Sequence, residues 1–111
     1  MSNPIFEQIA RDIKENDVIL YMKGTAEMPM CGFSGATVMI LKKLSVTFKD
    51  VNVLENDEIR EGIKQFSKWP TIPQLYIKGE FIGGCDIVRE VFASGELVNI
   101  LKSKSINFNQ I

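Results

Sequence analysis

Val18-Ile19-Leu20-Tyr21-Met22 is an apolar run of strand length without alternation, the pattern of a strand buried on both faces by flanking helices. The loop Lys23-Gly-Thr-Ala-Glu-Met-Pro-Met30 follows and delivers Cys31 to the start of a helical segment carrying Phe33, Ala36, Val38, Met39, Ile40 and Leu41. Val46 to Val53 is β-branched enough for a second strand, although its alternation slips near Asp50. Strand, helix and strand in close succession predict a βαβ unit with a right-handed crossover.

Before this unit, Asn3 and Pro4 read as a helix cap and first-turn proline, and Ile5, Phe6, Ile9, Ala10 and Ile13 recur on one face. After it, Asn56 caps a third helix with Ile59, Ile63 and Phe66 on one side and Arg60, Glu61 and Lys64 largely on the other. Trp69-Pro70-Thr71-Ile72-Pro73 forbids further helix and sets an extended path. Gln74 to Ile77, the Lys78-Gly79 turn and Glu80 to Ile82 predict a hairpin, ended by Gly83-Gly84. Asp86 then begins a helix with Ile87, Val88, Val91 and Phe92, and Glu96 to Lys102 resumes after Gly95. The order α β α β α β β α α, a parallel half followed by an antiparallel half, is an α/β chain in the thioredoxin-like arrangement: a central four-stranded mixed sheet flanked by helices. With no repeat or linker, residues 1–111 read as a single domain, and 104–111 lose periodicity and are expected to fray.

Composition narrows the chemistry. The chain has no histidine, which excludes Ser-His-Asp and Cys-His nucleophile pairs, His-ligated zinc and an imidazole base. Thiols, carboxylates, amines and backbone remain. A net charge of −1 gives no overall field for nucleic acid or an anionic membrane, and no apolar run is long enough to span a bilayer. At 111 residues the chain can bury a sufficient core, so its two cysteines do not read as a secreted disulfide scaffold, and a reducing compartment is expected. Because the domain starts almost at Met1, a bacterial cytoplasm is favoured over an organelle matrix.

Cys31 stands at a helix N-terminus, where unpaired N–H groups and the positive dipole end favour thiolate over thiol, so it is a nucleophile or metal-ligand candidate rather than a packed hydrophobe. Together, Lys23-Gly24, Pro29, Cys31-Gly32-Phe33-Ser34, Trp69-Pro70-Thr71-Ile72-Pro73-Gln74 and Gly83-Gly84-Cys85-Asp86 make the chain resemble the monothiol glutaredoxins of the CGFS class over residues 4–103. Residue 72, often aromatic in that family, is Ile here, at a position where the family uses mainly backbone groups.

A dithiol oxidoreductase needs a resolving thiol two residues beyond the one that Gly32 occupies, and Ser34 stands there. Two chemistries remain for Cys31: exchange with an external thiol, and metal ligation. The resemblance implies glutathione as that thiol and a 2Fe-2S cluster held between two chains by two Cys31 thiolates and two glutathiones, as cargo passed to acceptor iron-sulfur proteins. It also implies heterodimers with BolA-type proteins. Cysteine counting allows a rival in which two copies each of Cys31 and Cys85 supply four thiolates. A glutathione-dependent oxidoreductase and a sensor with a Cys31–Cys85 disulfide are the other readings.

The remaining motifs then read as a glutathione clamp. Lys23 neutralises a carboxylate and favours the Cys31 thiolate, and the resemblance assigns Arg60 to the glycine carboxylate; standing alone, either would be an ordinary solvated side chain. Pro73 resembles the family's cis-proline, which exposes the backbone of Ile72 to the peptide of glutathione. Cys85 and Asp86 offer helix-start N–H groups to the γ-glutamyl carboxylate, with the Asp86 side chain placed for its ammonium or serving simply as a cap. Trp69 and Phe33 either border this site or merely pack.

Overall fold

The structure, a computed structural model, describes residues 4–109. Its elements are α1 (Pro4–Glu15), β1 (Val18–Met22), α2 (Gly32–Lys43), β2 (Lys49–Asn52), a short 3-10 turn (Val53–Glu55), α3 (Asp57–Ser67), β3 (Gln74–Ile77), β4 (Glu80–Gly83), α4 (Cys85–Ser94) and α5 (Glu96–Ser103). The expected cap Asn3 lies outside the described residues. No described helix is long and apolar enough to cross a membrane.

The four strands form one mixed sheet in the order β2-β1-β3-β4. β1 pairs parallel with β2 and antiparallel with β3, and β3 pairs antiparallel with β4. Every residue of β1 is buried. Its pleat sends Val18, Leu20 and Met22 into one core with Val38, Leu41, Val88, Leu97 and Leu101 from α2, α4 and α5. Ile19 and Tyr21 enter the other core, with Ile9 and Ile13 of α1 and Ile59 and Ile63 of α3. The unalternating run is therefore the signature of a strand with a core on each side.

Several boundaries differ from expectation. The second strand begins at Lys49 rather than Val46, because Val46 closes helix α2: Ser45 takes the left-handed conformation (φ 54°), its N–H donates to the Lys42 carbonyl (3.0 Å) and the Val46 N–H to that of Leu41 (3.0 Å). This paired closure satisfies the last helical carbonyls and folds Val46 into the core. Val53 belongs to the 3-10 turn, and α4 starts at Cys85 rather than Asp86. On the apolar faces read from sequence, Ala10, Phe33 and Met39 are exposed.

The tail expected to fray is docked as far as Asn109. Ser105 is also left-handed (φ 57°), its N–H donates to the Lys102 carbonyl (3.1 Å) and the Ile106 N–H to that of Leu101 (2.9 Å). The chain turns back so that Ile106 and Phe108 pack on the first core, and the Asn109 N–H donates to the Leu44 carbonyl (2.7 Å) at the end of α2. A chain ending after Lys104 is expected to lose about 1–3 kcal/mol, the worth of two half-buried apolar side chains. An unchanged urea midpoint would show that the tail contributes nothing.

Candidate functional site

A cleft of about 470 Å³ opens at the end of the sheet where β1 finishes, and Lys23, Cys31, Arg60, Ile72, Cys85 and Asp86 all line it. Four elements supply them. Lys23 follows β1, Cys31 caps α2, Arg60 sits near the start of α3, and Cys85 and Asp86 open α4. Ile72 precedes Pro73 across a cis peptide bond.

The loop that carries Lys23 to Cys31 is held by the edge strand. Asn52 Oδ1 accepts from the Gly24 N–H (2.9 Å) and from the Leu54 N–H (3.0 Å), and Asp50 Oδ2 accepts from the Ala26 N–H (2.8 Å). Polar residues at these β2 positions, which break the alternation of the strand, thus satisfy loop donors that no strand can reach. The Met30 N–H donates to the Lys23 carbonyl (2.9 Å) and closes the loop on itself. Gly24 is required there: its φ is +88°, and a Cβ would lie 2.5 Å from both the Met28 oxygen and the Met30 nitrogen.

Ser34 links this loop to the helix. It is fully buried, and its Oγ accepts from the Lys23 N–H (3.1 Å), so the hydroxyl proton remains for another acceptor. The Cys31 sulfur forms no cap hydrogen bond of full geometry. Its surroundings nevertheless hold the thiol below the ordinary cysteine range, chiefly through the Ser34 N–H; burial opposes this, and the Phe33 N–H, the Lys23 charge and the Ser34 hydroxyl add to it. Cys31 is partly accessible and Cys85 buried, and neither is in a disulfide.

The cleft is cationic. The Arg60 Nε is buried without a hydrogen-bond partner among the described residues. Lys64, four residues on and so on the same helical face, also lines the cleft; it reaches Glu61 at 3.6 Å. Sequence reading left Lys64 on the solvated face, although its spacing from Arg60 signalled otherwise. The Gly84 cap of α4 supplies no side chain, which leaves the helix N-terminus open to a ligand. Against these stands one carboxylate, Asp86. Trp69, packed at a tilt against Phe81 with centroids 5.9 Å apart, and Phe33, 59% exposed, both line the cleft. Such a site suits an extended molecule with two anionic ends, an ammonium and a thiol. Among the described residues no cluster of three or more His, Cys, Asp and Glu could hold a metal ion.

A glutaredoxin family model matches residues 18–82. The probable monothiol glutaredoxin 2 of Rickettsia typhi is 55% identical over 105 residues, 95% of each chain. The solution structure of a monomeric truncated mutant of Trypanosoma brucei 1-C-Grx1 is similar with a TM-score of 0.88 at 37% identity, covering 99% of this chain and 100% of that one. A buckwheat glutaredoxin–glutathione complex shares the fold, with a TM-score of 0.83 at 21% identity, covering 94% and 93%.

Since the folded thiol ionises below an unfolded one, the stabilisation it adds is present at high pH and fades as pH falls through its folded pKa. The pH profile of Cys31 alkylation by iodoacetamide is expected to have its midpoint below that of a cysteine in a flexible peptide. Ser34→Ala keeps the dominant backbone N–H and should move the midpoint little, whereas Lys23→Gln should raise it and weaken its salt dependence. A midpoint at or above the peptide's would contradict this account.

Proposed function

This chain belongs to the glutaredoxin family, among its monothiol members, and on that premise we propose that it binds glutathione in the cleft and carries a 2Fe-2S cluster between two subunits to acceptor iron-sulfur proteins. The observation that carries the proposal is that Lys23 and Arg60 line one cleft with Cys31, the latter cation with a buried Nε that finds no partner among the described residues. An unpaired buried guanidinium nitrogen is costly unless an anion completes it.

Lys23 and Arg60 take the glycine carboxylate, the Ile72 backbone pairs with the peptide, and the N–H groups of Cys85 and Asp86 receive the γ-glutamyl carboxylate while the Asp86 carboxylate takes its ammonium. The glutathione thiol then lies beside Cys31. A 2Fe-2S cluster needs four ligands, normally thiolates. Ser34 provides none, and Cys85 is only 6% exposed, which disfavours the version in which each chain supplies both cysteines. Cys31 is left to combine with a second Cys31 and two glutathiones, and because half of these ligands are small molecules, an acceptor's thiolates can replace them. Phe33 and Met30, exposed beside Cys31, offer apolar surface to the second subunit, to a BolA-type partner or to an acceptor. The bacterial relatives and the unpaired thiols support a bacterial cytoplasm as the setting.

The depressed Cys31 thiol favours a second activity, glutathione-dependent exchange. The Cys31 thiolate attacks the glutathione sulfur of a mixed disulfide and expels the partner as a thiolate. A second glutathione thiolate then attacks the Cys31–glutathione disulfide, releasing oxidised glutathione and restoring the Cys31 thiolate.

Anaerobic reconstitution with iron and sulfide, with and without glutathione, tests the carrier role. Glutathione-dependent cluster absorption, a monomer-to-dimer shift, one glutathione per subunit and equal incorporation by Cys85→Ser are expected. Cluster-bearing protein without bound glutathione would overturn the ligand set. Substantial deglutathionylation turnover with no cluster retained would make exchange the function. Arg60→Gln should weaken glutathione binding roughly tenfold by calorimetry, the loss of one charge-assisted contact.

A further inference from the structure

One wall of the cleft, Trp69 to Pro73, has no regular pairing of its own. Pro70 and Pro73 carry no N–H group, and the segment joins no strand. Two of its carbonyls are met instead by one side chain. Gln74 is fully buried, and its Nε2 donates to the Trp69 carbonyl at 3.1 Å and to the Thr71 carbonyl at 3.0 Å. Since both neighbours are acceptors, only the NH2 end of the amide can face them, and Gln74 Oε1 is left buried with no hydrogen-bond partner. Glutamine thus sits where a donor pair is needed and its own acceptor goes unused, an arrangement that favours one geometry of the loop over any other.

We propose that Gln74 is a positioning residue for glutathione: its amide clamps Trp69 and Thr71, and so sets the wall of the cleft opposite Cys31. The role rests on the glutathione reading above, but the clamp itself can be measured without ligand. Trp69 is the only tryptophan in the chain, so its fluorescence reports the wall directly. Its ring packs at a tilt against Phe81, and Gln74 holds its carbonyl. Without the amide the wall samples positions in which the cleft is incomplete, and affinity falls with the fraction of molecules still competent.

Gln74→Met keeps the length and bulk of the side chain and removes both donors. Acrylamide quenching of Trp69 in the folded protein should rise about twofold, and the glutathione dissociation constant should rise roughly tenfold, with the far-UV spectrum unchanged. Gln74→Asn keeps the amide one methylene short of the two carbonyls and should move both readouts in the same direction; it decides the matter if Gln74→Met does not fold. Were the role merely structural, the urea midpoint would drop while quenching and affinity of the folded protein stayed at wild-type values, and that result overturns the proposal. If the wild-type chain binds no glutathione, the functional reading fails, and the quenching comparison still decides whether Gln74 holds the wall.

Discussion

β1 is buried on both faces, and this burial governs the rest of the molecule. A strand with no solvent-facing side must be covered by helices above and below, so alternate residues divide between two cores while α1 and α3 cover one side and α2, α4 and α5 the other. Burial also means that the chain leaves the interior only at the strand end. Lys23 is the first residue beyond it, and the loop from Lys23 to Met30 spans the short distance to the N-terminus of α2, where Cys31 stands. Lys23 and Cys31 are therefore held at the end of a fully buried central strand.

Chemistry at that edge depends on backbone as much as on side chains. The Ser34 N–H contributes most to the depressed Cys31 thiol, and the Ser34 hydroxyl both accepts from the Lys23 N–H and keeps a proton to donate. Serine in place of a resolving thiol thus has a positive role: it braces the loop against the helix and supports the thiolate. Asp50 and Asn52 do comparable work from the edge strand. The cleft surrounds one accessible thiol with more cationic groups than it has carboxylates.

Much of the candidate site was legible in sequence because its features are local. A cysteine after a strand and a loop, paired glycines before a helix and a proline-bracketed turn each constrain the chain within a few residues. The residues singled out from them line one cleft, together with Arg60, which the resemblance alone supplied. Lys64 was missed because a helical lysine carries no mark of burial; its spacing puts it on one face with Arg60, and only the packing of α3 shows that this face lines the cleft. Gln74 was missed for a different reason. It reads as the first residue of a strand, and nothing local reveals that its side chain serves the preceding loop.

Sequence by itself determined the order of elements, the doubly covered strand and the placing of one cysteine at a helix start, because hydrophobic period, caps and turn residues are properties of neighbouring positions. Tertiary structure alone decided where α2 and α5 close. Ser45 and Ser105 adopt a conformation usually left to glycine, and the cost is met by two carbonyls satisfied at each helix end and by Val46 and Ile106 folded onto the core. It also turned an expected loose tail into a docked one and brought Lys23, Arg60 and the start of α4 to one thiol. These are contacts between residues distant in the chain, and their energies exist only once the two cores have formed.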